Sequence, residues 1–400
     1  MDRISLNRYF NLTREDTCDC AILNFWYTNN YGALLTCYAL QEALLALGKS
    51  TKVINYIPPS YHKKIKNSLS SHFADRYLNL THLCTSKADL QKLNDRVGAF
   101  IVGSDQVWRH PYFWNQGGNI FQLNFARSNK KKIACAASFG TDHFEGSAED
   151  TLLTKFYMQQ FDSISVREAD GVHICRQTFG VDATHILDPV FFAPQGTWDR
   201  LAQRSALAEK NFIAFYVLDK SPTSTQILHT IKERYRDAKK VEIGKGAGKR
   251  KHKLPVEDWL YAIKHCDFFV TDSFHGSCFA IIFNKPFICI ANTSRGYSRF
   301  KSLFSTFGLE ERCIDSAHAE DIETLLSKAI DWESVNRTLE QEARRSQEWL
   351  SAALNTPAKA ENVTLDIIDT LLSAQETLKN RPTPIARLWR KALHLFTRRG

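Results

Sequence analysis

The sequence lacks the features that would direct a chain into or across a membrane. It contains no run of about 18 consecutive apolar residues, the length that a spanning helix requires. The amino-terminal stretch MDRISLNRYFNLTRED has no uninterrupted apolar core of the kind found in signal peptides. We therefore expect a cytoplasmic protein with no transmembrane segment.

Paired cysteines are also missing. The ten cysteines are scattered along the chain, and no two of them form a CxxC pair. Cys18 and Cys20 are close together, but no second Cys or His pair at zinc-ligand spacing accompanies them. In a chain without a secretion signal, this pattern predicts reduced thiols and no metal site.

The net charge of +9 is moderate for 400 residues, but it is concentrated in two basic segments that contain no acidic residue, 245–253 and 381–400. The segment 245–253, KGAGKRKHK, does not have the spacing of a phosphate-binding P-loop, because Lys249 is followed by Arg250. It is interpreted either as a mobile loop that screens an acidic acceptor or as a solvated run of charge. Because the charge is local and no nucleic-acid motif is present, we expect no nucleic-acid partner.

Short β-type runs alternate with helical patterns, as is typical of parallel sheets. The predicted strands are CAILNFWY, TKVINYI, GAFIVGS, KKIACAASFG, FDSISVRE and THILDPVFF, then NFIAFYVL, KKVEIG, DFFVTD and PFICIA. The polar segment APQGTWDRLAQRSALAEK between the two series is interpreted as a linker. The pattern predicts an α/β protein with two Rossmann-like lobes that face a cleft, over residues 1–195 and 205–315, followed by helices over 316–375 and a tail helix over 381–400.

Ligands of parallel sheets bind at the carboxyl ends of the strands, so the residues that follow each predicted strand are candidate site residues. The stretch TNNYGALL places Asn30, Tyr31 and Gly32 at the first such joint. Gly32 would let a ligand approach the N-terminus of the following helix, where free amides favour an anion. A simple turn with a helix cap is the alternative interpretation.

A second joint, GSDQVW, supplies Gly103, Ser104, Asp105 and Gln106. Four large aromatic residues follow or flank it: Trp108, Tyr112, Phe113 and Trp114. Because aromatic faces stack on carbohydrate rings, this joint is interpreted as a platform for a sugar. A turn beside the hydrophobic core would use the same residues.

Cations and a histidine occupy the remaining joints. Arg167 directly follows the strand ISV and is suited to a carboxylate or phosphate, with a plain Arg–Asp bridge as the alternative. His275 lies between the strand DFFVTD and a helix, where it can pass a proton in either direction. The amides of Gly276 and Ser277 can hold an anion there. The segment CIANTSRGYSRF adds Arg295 and Arg299.

Five segments, taken together and in order, resemble the polysaccharide pyruvyl transferase family. They are NNYGALLTCYALQEALLALG, VGSDQVW, SVREADGVHICRQTFGVDATHILDPVFF, EDWLYAIKHCDFFVTDSFHGSCFAIIFNKPF and SRF. The resemblance implies a two-lobed fold like that of GT-B glycosyltransferases. It also implies a transferase that moves pyruvate from phosphoenolpyruvate to sugar hydroxyls as a ketal, in the biosynthesis of a surface polysaccharide such as a capsule or exopolysaccharide.

The resemblance further implies roles for the site residues. His275 would act as the acid and base, and Asp105 would orient or deprotonate an acceptor hydroxyl. Arg167, Arg295 and Arg299 would bind the phosphate and carboxylate of phosphoenolpyruvate. This scheme needs no metal and no cofactor besides the donor substrate. The expected partners are phosphoenolpyruvate and a saccharide acceptor, free or lipid-linked.

One position departs from the family pattern. Many members have an arginine two positions before the motif histidine, where this chain has Ser273. Either Arg295, Arg299 or Lys285 takes over its part in donor binding, or the donor is not phosphoenolpyruvate.

The alternative function is therefore that of a GT-B glycosyltransferase with a nucleotide-sugar donor. Such an enzyme needs a ribose-binding carboxylate late in the second lobe, and only Glu310 and Glu311 follow the last predicted joint. A binding protein without catalytic activity is a further alternative, and it would keep its ligand when His275 is replaced.

The tail RPTPIARLWRKALHLFTRRG predicts a basic amphipathic helix. Its apolar residues at helical spacing are Ile385, Leu388, Trp389, Ala392, Leu393 and Phe396. Such a helix either packs on its own protein or lies on an anionic membrane face, gaining about 1 kcal/mol per cation near the surface. The second interpretation predicts peripheral attachment to the inner membrane face.

Overall fold

The computed structural model describes residues 17–219, 222–244, 254–291, 296–314, 322–362, 364–366, 368 and 371. The basic segment 245–253, Arg295 and the predicted tail helix 381–400 lie outside these residues.

The strands of the described chain form two parallel sheets. The first sheet has the order β3-β2-β1-β4-β5-β6-β7 and the second has the order β12-β11-β10-β8-β9. The first contains Cys18–Leu23 (β1), Thr51–Tyr56 (β2), Leu80–Cys84 (β3), Val97–Val102 (β4), Lys131–Ala137 (β5), Ser163–Val166 (β6) and Thr184–His185 (β7). The second contains Phe212–Tyr216 (β8), Lys239–Glu242 (β9), Phe268–Thr271 (β10), Phe287–Ile290 (β11) and Cys313–Ile314 (β12). We call the parts built on these sheets the first and second lobes.

Helices connect the strands, as parallel pairing requires. In the first lobe they are Tyr31–Ala46 (α1), His62–Ile65 (α2), Leu69–Tyr77 (α3), Lys87–Gln91 (α4), His110–Trp114 (α5), Ala148–Met158 (α6) and Ala169–Ile174 (α7). Thr197–Ala202 (α8) leads to the second lobe, which contains Pro222–Arg234 (α9), Val256–His265 (α10), Phe274–Ile282 (α11) and Ser298–Phe307 (α12). The helices Ile322–Ser327 (α13) and Trp332–Asn355 (α14) follow. The predicted α/β class with parallel sheets and trailing helices is confirmed.

Helix α14 returns to the first lobe. The Leu187 amide donates to Ser346 Oγ at 3.1 Å, and Gln347 Nε2 donates to the Phe192 carbonyl at 3.0 Å. Both acceptor and donor side chains belong to α14, so the helix joins the end of the chain to the first sheet. Among the described residues, no helix is both long enough and apolar enough to cross a membrane.

The predicted extent of two strands was wrong. The run CAILNFWY is not a single strand, because β1 ends at Leu23 and a 3-10 turn, Trp26–Thr28, follows. The run THILDPVFF holds only the two-residue β7, since Pro189 begins a 3-10 turn whose first amide is bonded by Asp188. The segment interpreted as a linker lies between β7 and β8 and contains α8, in which Trp198 is buried and packs edge-on to Phe279 of the second lobe.

Candidate active site

Charged side chains from both lobes meet where the carboxyl ends of the two sheets face each other. Asp105 follows β4, Arg167 follows β6 and Asp188 follows β7 in the first lobe. His275 lies in the first turn of α11, directly after β10 of the second lobe. The structure therefore brings together three of the predicted site residues, Asp105, Arg167 and His275.

The carboxylate of Asp188 is the centre of this cluster. It is completely buried and accepts four hydrogen bonds. They come from Thr36 Oγ1 (2.9 Å), the Val190 amide (3.1 Å), Ser104 Oγ (2.7 Å) and Arg167 Nη1 (2.8 Å). Burial by itself would raise the pKa of Asp188, but contact with His275 and the charge of Arg167 hold it well below its usual range. Asp188 is therefore an anion at neutral pH.

Arg167 bridges two carboxylates. Its Nη1 is bonded to Asp188, and its Nη2 lies 3.3 Å from Oδ1 of Asp105. The guanidinium also lies over the ring of Phe274, with Cζ 4.4 Å from the ring centre. Burial opposes its charge, yet Asp188 and Asp105 outweigh that effect and raise the pKa of Arg167. The Nε atom has no hydrogen-bond partner among the described residues.

His275 contributes an imidazole from the other lobe. Its Nε2 lies 3.4 Å from Oδ2 of Asp188 and 3.5 Å from Nη1 of Arg167. The opposite side of the ring rests on Gly32 in the first turn of α1, where an added Cβ would come within 2.0 Å of Nδ1. The absence of a side chain at Gly32 therefore makes room for the catalytic candidate itself.

Asp105 has a strained backbone beside the cluster. Its φ of +101° is unusual for a residue with a side chain, and such strain concentrates at functional sites. Oδ1 accepts from the Gln106 amide at 2.8 Å as well as from Arg167. Oδ2 has no partner in the described part of the chain, and the side chain is 15% exposed. One carboxylate oxygen thus remains open to a substrate.

Arg299, in α12, supplies a second buried guanidinium. It lies over the rings of Phe274 and Phe300, with its Cζ 5.4 and 5.2 Å from the ring centres. Phe274 therefore contacts both Arg299 and Arg167. Burial, reinforced by the charge of Arg167, lowers the pKa of Arg299 to about 10. Two crowded cations of this kind favour an anionic ligand.

The helix N-terminal amides that were predicted to hold an anion donate hydrogen bonds inside the protein. The Gly32 amide donates to Asn30 Oδ1 at 2.8 Å, and the Gly276 amide donates to Ser273 Oγ at 3.3 Å. The Ser277 amide donates to the Ser273 carbonyl at 3.0 Å. These amides have partners inside the protein, so the cationic side chains are the better anion ligands.

Several other predicted site residues have structural contacts. Tyr31 is buried, stacks on Trp259 with ring centres 4.9 Å apart, and donates to the Leu254 carbonyl at 2.7 Å. It therefore joins the two lobes. An added Cβ on Gly103 would lie 2.9 Å from Asn24, so close packing explains that glycine. Ser104 binds Asp188, Gln106 packs against Gly140, and Ser277 is buried.

The aromatic residues after β4 divide into two groups. Trp108 and Phe113 are fully buried and belong to the core. Tyr112 and Trp114 are exposed. The burial of Trp108 and Phe113 leaves neither ring open to a sugar.

Asp188 and Phe274 belong to the cluster but were not among the predicted site residues. Asp188 stands in the apolar run HILDPVFF, and an isolated acid inside such a run was the available signal. Phe274, beside His275, gave no signal, because an aromatic residue at this joint is equally typical of a core position.

A model of the family described as polysaccharide pyruvyl transferase matches residues 30–294. A search of curated proteins finds no match. Among solved structures, the chain is similar to a UDP-GlcNAc 2-epimerase from Methanocaldococcus jannaschii, with 11% identity, a TM-score of 0.46, and coverage of 88% of this chain and 99% of that chain. It is also similar to the wall teichoic acid polymerase TagF, with 12% identity, a TM-score of 0.44, and coverage of 94% of each chain. An O-GlcNAc transferase from Thermobaculum terrenum is similar too, with 15% identity, a TM-score of 0.43, and coverage of 95% of this chain and 69% of that chain. These likenesses carry no argument about the reaction.

Proposed function

The chain belongs to the polysaccharide pyruvyl transferase family, and we propose that it moves the pyruvate group of phosphoenolpyruvate onto two hydroxyls of a sugar as a ketal. The observation that supports this proposal most is the buried cluster in which His275 meets Arg167 and Asp188 between the lobes. The cluster combines a group that can transfer protons with cations that can bind an anionic donor.

The donor would bind beside Arg299 and the free Nε of Arg167. Phosphoenolpyruvate carries a phosphate and a carboxylate, so it needs at least two cationic partners. Arg167 shares its Nη atoms with Asp188 and Asp105, and its charge helps to lower the pKa of Arg299. An anion beside Arg299 would relieve its repulsion by Arg167.

The same geometry bears on the family arginine that is replaced by Ser273. Lys285 follows the far end of α11, whose axis from Phe274 to Ile282 is about 12 Å long at 1.5 Å per residue. It is therefore too distant to replace that arginine. Arg299 contacts Phe274, the neighbour of both Ser273 and His275, and is the better replacement.

The reaction would begin with proton transfer from His275 to the methylene carbon of phosphoenolpyruvate, which makes the adjacent carbon electrophilic. A sugar hydroxyl then attacks that carbon and gives its proton to the open oxygen of Asp105. The C–O bond to phosphate breaks, and phosphate leaves with the proton that Asp105 had accepted. A second hydroxyl then closes the ketal and gives its proton back to His275. Proton transfer by a positioned group of this kind typically contributes about 10²–10⁴-fold.

The glycosyltransferase alternative is less well supported. Glu310 and Glu311 lie in a 3-10 turn that precedes β12, at the amino end of the second sheet and opposite the site. Glu311 is also paired with Lys328. Neither carboxylate is placed to bind the ribose of a nucleotide sugar beside His275.

The test is a reaction in D₂O with phosphoenolpyruvate and a panel of methyl glycosides, followed by phosphorus and proton NMR. We expect phosphate release and a ketal whose methyl group contains one solvent deuterium, with both lost in His275→Asn. Transfer from a nucleotide sugar without any consumption of phosphoenolpyruvate would establish the alternative.

The proposed membrane attachment rests on residues 381–400 alone, and removing them should abolish sedimentation with anionic vesicles.

A further inference from the structure

An exposed tyrosine is connected to the site by side-chain contacts. Tyr112, in α5, is 37% exposed. A tyrosine ring offers a ligand both an apolar face and a polar edge. Its neighbours show which kind of ligand the ring suits.

Tyr112 is held rigidly from one side. The guanidinium of Arg109 lies over its ring, with Cζ 5.0 Å from the ring centre, and Nη1 donates to the Tyr112 hydroxyl at 3.3 Å. Glu145 fixes Arg109 by two contacts, to Nε at 3.1 Å and to Nη2 at 3.3 Å. Arg109 therefore covers one face of the Tyr112 ring, and the opposite face and the edge are the exposed parts of the ring.

The ring is also connected to the reacting groups. Nη1 of Arg109 donates to Gln106 Oε1 at 3.4 Å, and Gln106 is the residue that follows Asp105. Gln106 in turn lies near the second lobe, because an added Cβ on Gly140 would lie 2.2 Å from Gln106 Oε1 and one on Gly296 would lie 2.2 Å from the Gly140 carbonyl oxygen. The Gly296 carbonyl accepts from Nε of Arg299 at 3.2 Å. A chain of contacts thus connects Tyr112 to the neighbour of the carboxylate proposed to take the acceptor proton and to the cation proposed to hold the donor.

We propose that the exposed face of Tyr112 stacks on the acceptor sugar ring and presents its hydroxyls to Asp105. This inference rests on the proposed function for the identity of the reaction, but the binding of a sugar by Tyr112 does not require it. A pyranose has an apolar C–H face that packs on an aromatic ring, and Tyr combines such a face with a polar edge. Arg109 acts as a positioning residue that fixes the ring.

The chain offers a matched control on the same helix. Trp114 is 38% exposed, but its ring stacks on His110, with centres 5.2 Å apart, and His110 Nε2 lies 3.2 Å from Asp150. None of its described ring contacts involves Arg109, Gln106 or Arg299. Its removal should leave acceptor binding unchanged.

Saturation-transfer NMR on the full chain measures the binding of the methyl glycosides of glucose, galactose, mannose and N-acetylglucosamine. The binding of phosphoenolpyruvate is measured separately by calorimetry. We expect Tyr112→Ala to weaken binding of the recognised glycoside by about tenfold, and Tyr112→Phe and Trp114→Ala to bind as the wild type does. The affinity for phosphoenolpyruvate should stay within about twofold in all three variants.

Three results would overturn the inference. The first is that no glycoside binds the wild type at millimolar concentration, and the second is that Tyr112→Ala binds the glycoside as well as the wild type does. The third is equal weakening in Trp114→Ala, because a general effect on α5 would then explain the loss. If glycoside binding depends on Tyr112 and phosphoenolpyruvate does not bind, the inference stands and the proposed donor is wrong.

Discussion

The Nε2 atom of His275 in the second lobe lies 3.4 Å from Oδ2 of Asp188 in the first lobe. The same oxygen accepts a hydrogen bond from Arg167, so one carboxylate contacts both the proton-transfer candidate and a cation. Because these groups belong to different lobes, the relative position of the lobes determines the geometry of the site. Asp188 therefore orients the imidazole and also compensates the buried charge of Arg167.

Replacing Asp188 by Asn should destabilise the protein strongly. It leaves Arg167 buried without one of its two carboxylates, and breaking a buried pair of this kind typically costs about 3–5 kcal/mol. Urea unfolding followed by circular dichroism measures the change. Asp95→Asn is the matched control, because Asp95 pairs with Arg127 at the surface, and it should unfold at the wild-type urea concentration. Equal effects of the two variants would contradict the central role of Asp188.

The contribution of Asp188 should also depend on pH. Its pKa in the folded protein is lowered, so its stabilisation is fully present above the unfolded pKa, about 4, and is lost as the pH falls below that value. The difference in unfolding free energy between the wild type and Asp188→Asn should therefore be constant from pH 6 to pH 5 and shrink below about pH 4. A difference that grew on acidification would have the opposite sign to the one expected.

Gly32→Ala should impair the reaction while the protein stays folded. The new methyl group would come within 2.0 Å of His275 Nδ1 and push the ring away from Asp188. A displacement of about 1 Å in a catalytic group costs about a hundredfold in rate, which phosphate release from phosphoenolpyruvate would show. Gly244→Ala is the control, since its Cβ would meet neighbours only at 3.8 Å, and it should be fully active. A fully active Gly32→Ala variant would show that His275 need not occupy its present position.

Arg299→Met should weaken donor binding by at least about tenfold without lowering stability. Because burial lowers the pKa of Arg299 to about 10, its protonated form costs stability below that pH, and the cost declines as the pH rises further. Methionine removes that cost and keeps the packing against Phe274 and Phe300. Calorimetry and thermal unfolding test both effects, with the exposed Arg344→Met as control. A large fall in melting temperature for Arg299→Met would contradict this account.

Much of the fold could be predicted from the alternation of apolar strands and amphipathic helices, because buried parallel strands are almost continuously apolar. The short strands were not predictable in this way. β12 contains only two residues, Cys313–Ile314, and β3 carries a histidine within five residues, so neither stands out from its surroundings. The run THILDPVFF was predicted as a strand because its overall hydropathy is apolar. The pair Asp188 and Pro189 ends the strand without changing that hydropathy.

Site residues could be predicted where a side chain suited to catalysis or anion binding directly follows a strand. Arg167, Asp105 and His275 are polar residues directly after strands, and the topology brings those strand ends together. Amides were harder to assign, since a helix N-terminus that binds an anion and one that is capped by its own Asn30 or Ser273 have the same sequence pattern. Contacts between lobes, such as the stacking of Tyr31 on Trp259, depend on how the lobes pack and leave no local signal.

The most direct measurement is a calorimetric titration of the full chain with phosphoenolpyruvate, run beside a panel of nucleotide sugars and repeated with Arg299→Met. The account predicts saturable binding of phosphoenolpyruvate by the wild type, weakened at least about tenfold in the variant, and no comparable binding of a nucleotide sugar. Binding of a nucleotide sugar without any binding of phosphoenolpyruvate would contradict this prediction. It would show that the donor differs from phosphoenolpyruvate in this chain, which has Ser273 where many family members have arginine.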